Sequence, residues 1–343
     1  MNILTSLDRT SDYSKRQLEV ILGAWVLSGL VDRKAAISTQ NGDVSEDDYD
    51  KRSIYSLFYA LYRSMGDVPS DKGTRYELTF NTWGYTWPES WGPCPNDPND
   101  PQLYGRNAYT GLYQFPEVKE YVAARDGRVH IVELGCGTGA GAHHVCKNVL
   151  PKATYEAVDM QAAAIETCRR KHVPELGGRL RATCADATDL SIRSGTADFV
   201  AVNETHVTEQ TGMVTVEDER FFSTAYRLLK PGGYLVWGNA IPESTWEPCF
   251  GTLAALGMKK LHVRDVTKEA ILARDLDKGR VDAYVAYCIE QFSGFKIPVL
   301  GEKRRLEAEL AMKNFYRNPG TNLYDRMVDG TDTYKVVLFQ KPA

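Results

Sequence analysis

The run Glu133-Leu134-Gly135-Cys136-Gly137-Thr138-Gly139 sets a carboxylate two residues ahead of a glycine-rich turn, directly after the apolar stretch VHIVEL. Such a turn at the carboxyl end of a strand lets a ligand approach the backbone closely. Gly135, Gly137 and Ala140 also satisfy the G-x-G-x-x-A spacing used for dinucleotides, so the loop by itself leaves the cofactor open. Glu133 weighs on the choice: a carboxylate there opposes an anionic pyrophosphate and suits a cationic aminoacyl-sulfonium compound. Asp159, ending the segment ATYEAVDM, is placed to accept hydrogen bonds from both hydroxyls of a ribose, a role that serves either cofactor class. Asp186, within Cys184-Ala185-Asp186-Ala187, suits the exocyclic amine of an adenine.

A second set of residues bears on the acceptor. In Asn203-Glu204-Thr205-His206-Val207-Thr208-Glu209 the imidazole of His206, with an ordinary pKa of about 6.5, suits a general base. Glu209 stands behind it as a catalytic candidate. Glu204 ranks lower, because a carboxylate at a surface turn is usually solvated. Trp83, Tyr85 and Trp87 alternate along what reads as extended chain, which puts three rings on one face as an apolar substrate wall or as packing against the sheet. Tyr109 and Tyr113 are further candidates to line that wall, and Tyr104 with them to close over the cofactor. Arg106 is either an anion-steering group or simply exposed. Acidic residues gather only at Glu217-Asp218-Glu219, which read as the start of a helix, so no metal site is expected. His143 and His144 are adjacent on a helix, point different ways and read as surface or packing residues.

These groups need a scaffold, and the pattern from Arg128 onward supplies one by alternating strands with helices. VHIVEL, ATYEAVDM, LRATCAD, ADFVAVNE and YLVWGNA read as strands, with helices to about Leu150, over Gln161–His172 and over Val216–Leu229. Lys230-Pro231-Gly232-Gly233 breaks the last of these, and Met258–Val266 and Tyr334–Lys341 complete seven strands. The predicted fold class is α/β: a seven-stranded, mostly parallel, doubly wound sheet with an N-terminal helical and irregular lobe and a helical insertion before the last strand. Residues 1–126 form that lobe, a cap over the substrate, with helices within 12–66 and ring-packed irregular structure at 76–115. Residues 127–343 form the cofactor domain, with 267–330 as a lid-like helical insertion.

Composition narrows the partners. The chain has 343 residues, 43% hydrophobic and 25% charged, as expected of a folded protein with a real core. Its formal charge of −4 gives no general attraction to nucleic acid. The seven cysteines are scattered without a C-x-x-C pair, which fits a reducing, cytoplasmic setting, and the start of the chain shows no secretory signal. The longest apolar stretch, Leu18–Val31, is too short for a bilayer of roughly 30 Å, so no membrane partner is expected, and a homo-oligomer is compatible with these features.

Taken in order, VELGCGTGAG, AVDM, CADAT and RLLKPGGYLV resemble the successive motifs of the class I S-adenosylmethionine-dependent methyltransferases, over roughly residues 127–240. LYGRNAYTGLYQF is loosely similar to the aromatic-glycine segment that caps the cofactor in small-molecule members of that class. The resemblance implies a seven-stranded fold with an antiparallel last strand. It also implies S-adenosylmethionine as cofactor, S-adenosylhomocysteine as product, and a cofactor pocket lined by Glu133, Gly135, Gly137, Asp159, Met160, Asp186, Ala187 and Asn203, with Cys136, Thr138 and Gly139 of the same loop. The reaction expected is in-line methyl transfer to a small-molecule substrate, first an O-methylation of a hydroxyl or enol in secondary metabolism. The alternatives are C-methylation, or a nicotinamide-dependent oxidoreductase on the same glycine loop.

Overall fold

The computed structural model describes residues 80, 82–205, 213–293, 309–310 and 312–343. The helices expected within 12–66, and both catalytic candidates His206 and Glu209, lie outside the described residues. The chain divides into two compact units, one of Met1–Leu78 with Asp275–Asp325 and one of Thr79–Arg274 with Arg326–Ala343. The second unit holds the sheet, and the aromatic segment belongs to it. The first, as far as it is described, is helical, with partly buried polar pairs such as Arg280 to Asp277 at 2.6 Å within one helix and Asn318 to Asp282 at 2.9 Å.

In the sheet unit the aromatic segment leads into α1 (Leu103–Gly111) and α2 (Pro116–Ala123). A nine-residue helix thus stands within the stretch expected to be irregular. It begins where the Pro- and Asn-rich run ends, at Leu103, and LYGRNAYTG holds no proline to break a helix, Gly105 being used instead for close approach of Phe80. β1 (His130–Leu134) follows, then the glycine loop and α3 (Ala140–His144), which continues as a π-helical turn over Val145–Val149. Next come β2 (Thr154–Asp159), α4 (Ala162–Lys171), α5 (Val173–Leu176), β3 (Leu180–Cys184) and β4 (Ala197–Asn203). α6 (Val216–Leu228) precedes β5 (Leu229–Pro242), and α7 (Glu243–Ala255), β6 (Lys259–Asp265), α8 (Thr267–Ser293), α9 (Asn322–Val328) and β7 (Asp332–Gln340) complete the order.

The strands lie in the order β3-β2-β1-β4-β5-β7-β6. β7 runs antiparallel to both neighbours and the other described pairings are parallel. The chain therefore reverses between β1 and β4, and the crevice at their carboxyl ends is the place where such sheets bind ligands. The central strands are buried on both faces, which explains their nearly unbroken apolar runs: every residue of β4 is buried. Period-two alternation sends Ile131, Tyr155, Phe199 and Val336 to one core, under α1 and α2. Val132, Val158, Val200 and Val337 go to the other, under α6 and α7, where Trp237 and Trp246 meet at 4.8 Å. The acids at the start of α6 act as read: Thr215 and Asp218 form a reciprocal capping box, at 3.2 and 2.8 Å. The Pro-Gly-Gly breaker ends the helix at Leu228, but the strand starts at once, at Leu229, with its register against β4 shifted between Ala197 and Phe199. Among the described residues no helix is long and apolar enough to cross a membrane.

Asp198 is the one acid within β4. Its carboxylate accepts from the backbone N–H of His130 (2.7 Å), the phenol of Tyr121 (2.8 Å) and Nζ of Lys230 (2.9 Å), tying β1, α2 and the start of β5 together at the end of the sheet away from the glycine loop. Burial works against the charge, yet the N–H of His130 and the ammonium of Lys230 outweigh it and hold the carboxyl below the usual carboxylate range. A lowered folded-state pKa adds stability above the unfolded value, and that stability is lost as pH falls through the folded one. Asp198→Ala is accordingly expected to cost about 3 kcal/mol in urea unfolding at pH 7 and clearly less at pH 3, with the cofactor affinity of the folded protein unchanged. An equal cost at both pH values would rule out the ion pair as its source.

Candidate active site

The glycine loop leaves β1 through Gly135, Gly137 and Gly139, at φ 81°, 54° and 80°, all in the left-handed region that favours glycine. Gly139 caps α3, so the loop's backbone faces the crevice beyond β1 and β4. Cys136 and Thr138, between the glycines, are buried. Asp159 ends β2 beside the loop. Its Oδ2 accepts from the N–H of Gly137 and its Oδ1 from the N–H of Gln161, both at 2.8 Å. Each oxygen keeps a further lone pair toward the crevice, so one side chain both sets the loop and remains free to accept from a diol. Met160, next along, is 41% exposed and presents an apolar surface at the rim.

Glu133 is wholly buried at the end of β1. The phenol of Tyr155 donates to its Oε2 at 3.0 Å; Oε1 makes no well-aligned hydrogen bond among the described residues, although the Tyr109 phenol stands beside the carboxyl and interacts with it. Burial raises the Glu133 carboxyl to about 7, with Tyr109 and Tyr155 pulling the other way. A buried carboxylate oxygen with no donor is costly unless something else supplies one. An incoming ammonium or sulfonium would lower that cost, and a pyrophosphate would add to it. At the end of β4, Asn203 Oδ1 is likewise buried without a partner. Tyr109, on α1, is held close by the absence of a side chain at Gly141, where any Cβ would strike its ring. Its phenol is pushed far above the ordinary range by burial and by the Glu133 charge.

Three of the predicted residues make contacts that the sequence did not suggest. Asp186 lies past β3 and is partly buried; its Oδ1 accepts from the N–H and the hydroxyl of Thr188, both at 2.8 Å, so part of its acceptor capacity shapes its own turn, with Ala187 in it. Tyr85 is fully buried, its ring edge-on to Tyr334 at 5.3 Å and to Trp91 at 5.9 Å, with its phenol on the carbonyl of Ala108 at 3.4 Å. Trp87 stacks edge-on with Trp91 at 5.2 Å and donates to Gly92 O at 3.0 Å. These two rings are taken up by packing, Tyr85 against α1 and Trp87 against Trp91. Trp83 is partly buried against the core, Tyr109 is buried against Gly141, and Tyr113 is buried beside Phe199.

Three features were not read from the sequence. Tyr155 partners Glu133, and the signal was available: Glu133 pairs with Ala157 across the sheet, so Tyr155 lies two residues along on the same face. His144 takes the packing role of the two left open, and its partners were not foreseen. Its Nδ1 faces Arg106 Nη1 and Asn148 Nδ2, both at 3.1 Å, and its Nε2 faces Thr110 Oγ1 at 2.9 Å, which fastens α1 onto α3. Burial, with Arg106 beside it, lowers His144 to about 3, so the imidazole is neutral, and Arg106 is completed by Asp100 at 2.5 Å rather than exposed. Glu204, expected to be solvated, is partly buried and saturated with donors: Trp83 N–H at 2.8 Å, Gly84 N–H at 3.3 Å, the Tyr334 phenol at 2.7 Å, and the Thr82 hydroxyl. Burial raises its carboxyl and those donors pull it back in part. Among the described residues no group of three or more His, Cys, Asp or Glu is arranged to hold a metal ion.

A 3-2-1-4-5-7-6 sheet with its antiparallel last strand, and an acid-led glycine loop at the switch point, define a class I S-adenosylmethionine-dependent methyltransferase domain. S-adenosylmethionine is its cofactor, and the buried Glu133 carboxyl, with only phenols beside it as donors among the described residues, fits a cationic ligand. Residues 131–233 match the family described as methyltransferase domain. The chain is 25% identical over 214 residues to a fatty-acid O-methyltransferase of Mycolicibacterium smegmatis, covering 62% of this chain and 68% of that one. It is 26% identical over 247 residues to a phthiotriol/phenolphthiotriol dimycocerosates methyltransferase of Mycobacterium leprae, covering 70% and 85%. In fold it is similar to the [4+2]-cyclase SpnF, with a TM-score of 0.52 at 16% identity over 85% of this chain and 97% of that one. A putative sarcosine dimethylglycine methyltransferase from Galdieria sulphuraria gives 0.52 at 9% identity over 82% and 98%.

Proposed function

We propose that this protein transfers the methyl group of S-adenosylmethionine to an oxygen of a small, largely apolar metabolite, with lipid-type acceptors first among them. The observation that carries the reading is the Glu133 carboxyl, wholly buried ahead of the glycine loop with only phenols beside it and with Oε1 lacking a well-aligned hydrogen bond among the described residues. Glu133 takes the cofactor's ammonium, Asp159 its ribose, and Asp186, Ala187 and Met160 border its adenine. The bound cofactor supplies an electrophilic methyl carbon that needs no further activation.

The chain's task is then to position the acceptor and exclude water. Tyr109 and Trp83 wall the crevice on the acceptor side, and the packing of α1 on α3 through His144 keeps Tyr109 in place. His206, one residue past Thr205, takes the acceptor's proton when that oxygen is a hydroxyl or enol, with Glu209 as the second candidate. A carboxylate acceptor is already ionised at neutral pH and leaves the base without a task. The relatives' named substrates, a fatty acid and phthiotriol/phenolphthiotriol dimycocerosates, favour an apolar acceptor.

The test is incubation with methyl-labelled S-adenosylmethionine and a panel of fatty acids, phenols and enols, read by mass spectrometry. A label on oxygen is the expected result. With a hydroxyl acceptor, His206→Ala is expected to lower kcat by at least about 100-fold at unchanged cofactor affinity; with a carboxylate acceptor it leaves kcat within a few fold. A label on carbon or nitrogen would overturn the oxygen assignment, and reduction of a substrate by a nicotinamide cofactor would overturn the reading altogether.

A further inference from the structure

Glu204 follows β4 with φ 49°, in the left-handed region. A long, unbranched acid has no local reason to sit there, and such outliers persist only where their surroundings over-determine them, at about 1–3 kcal/mol each. Here the surroundings are four donors from two distant parts of the chain. Three come from consecutive residues of the aromatic segment, the Thr82 hydroxyl and the N–H groups of Trp83 and Gly84, and the fourth is the phenol of Tyr334 on β7.

The same segment is fixed from its other side. Gly84, at φ 65°, lies against the backbone carbonyl of Tyr104, where a Cβ would collide, so only glycine permits this approach to α1. Tyr85 is inserted into the core, and the N–H of Thr86 donates to Glu269 O at 3.1 Å. Next to Glu204, Asn203 Nδ2 reaches Thr82 Oγ1 at 3.5 Å, and Thr205 lies against Gly135, with its hydroxyl on Gly135 O at 3.3 Å. The strap Thr82–Thr86 and the glycine loop therefore meet at one point, the turn after β4.

We infer that Glu204 is a positioning residue: its carboxylate latches the strap Thr82–Thr86 across the carboxyl end of β4 and so sets the Trp83 side of the acceptor crevice. With three donors on Oε1 and the Trp83 N–H on Oε2, the carboxylate is engaged by the strap and β7, and it acts through the strap rather than by taking the acceptor's proton. The latch holds whatever the acceptor is. Only its consequence for turnover rests on the methyl-transfer reading given above.

Hydrogen-exchange mass spectrometry on the full-length protein tests this with three variants. Glu204→Gly relieves the left-handed backbone and removes the carboxylate. Glu204→Asp keeps the charge, tolerates the left-handed region better than Glu, and falls one methylene short of the strap. Glu204→Gln keeps an acceptor oxygen but turns an N–H2 toward part of the donor set. For Gly and Asp the amides of Trp83 and Gly84 are expected to exchange at least tenfold faster, with β1 and β5 unchanged, and Gln is expected to fall between them and the wild type.

Affinity for S-adenosylhomocysteine stays within threefold in all three, because Glu133 and Asp159 are untouched, while the KM for the acceptor rises at unchanged KM for the cofactor. Wild-type exchange at the strap in Glu204→Asp or Glu204→Gly would overturn the latch. So would acceleration spread evenly over the sheet, which would make Glu204 an ordinary stabilising residue. If the wild type takes up no S-adenosylhomocysteine, the methyl-transfer reading fails, and the strap exchange still decides the latch on its own.

Discussion

Glu133→Gln is expected to weaken binding of S-adenosylhomocysteine by about 100-fold at pH 8 while making the cofactor-free protein more stable. Glutamine is the same size and keeps an oxygen for the Tyr155 phenol, so the change removes charge and little else. The wild-type carboxyl, raised by burial to about 7 from an ordinary 4.5, is costly to ionise in the folded chain. A raised folded-state pKa contributes stability that is full below the unfolded value and is lost as pH rises through the folded one, here between about 4.5 and 7. The whole difference is worth about 3 kcal/mol. Glutamine does not ionise, so the variant should gain up to that amount over the wild type at pH 8 and nothing at pH 4.

The same proton controls binding. The cofactor's ammonium needs the ionised carboxylate, so wild-type affinity should fall about tenfold from pH 8 to pH 6, and that of the variant should stay flat. Urea unfolding and calorimetry at the two pH values check both halves. A variant that is less stable at pH 8, or one that binds as the wild type does, would remove Glu133 from the site.

Asp159→Ala is the second large effect. The Asp159 carboxylate accepts from the N–H groups of Gly137 and Gln161, so its loss strands one amide in the loop and one at the start of α4 besides removing the proposed ribose acceptors. Affinity for S-adenosylhomocysteine should fall by about 100-fold or more, and stability by about 1–3 kcal/mol through the unpaired loop amide. Asp159→Asn separates the two contributions, since its amide oxygen can still accept from one N–H. It should recover part of the stability and little of the affinity. If affinity survives in both variants, the diol is held elsewhere.

What the sequence showed, and what it hid, divides by distance along the chain. The glycine loop, Asp159 and the strands around them are local patterns: an apolar run, a turn that needs left-handed glycines, an acid at a strand end. The antiparallel β7 was readable too, because Asp332–Gln340 alternates like a strand and closes the order that the resemblance implies. Glu204 was misread for the opposite reason. Its donors are Thr82, Trp83, Gly84 and Tyr334, each more than 100 residues away, so a window of sequence shows an acid at a turn and nothing that would bury it. Tyr85 and Trp87 were read by period two as one face, but which rings α1 and Trp91 would cover is a tertiary fact. His144 belongs to the same class: its neutral, buried imidazole depends on Arg106 and Thr110 of α1, and a pair of histidines at the end of a short helix carries no mark of that.

The central claim is that the crevice at the ends of β1 and β4 binds a cationic sulfur compound or its demethylated product through Glu133. Calorimetric titration of the purified protein with S-adenosylhomocysteine at pH 8 measures this most directly. Saturable heat at one site per chain, lost in Glu133→Gln, with no heat from NAD(H), is the expected result; uptake of NAD(H) with none of either methyl-cycle compound would contradict it.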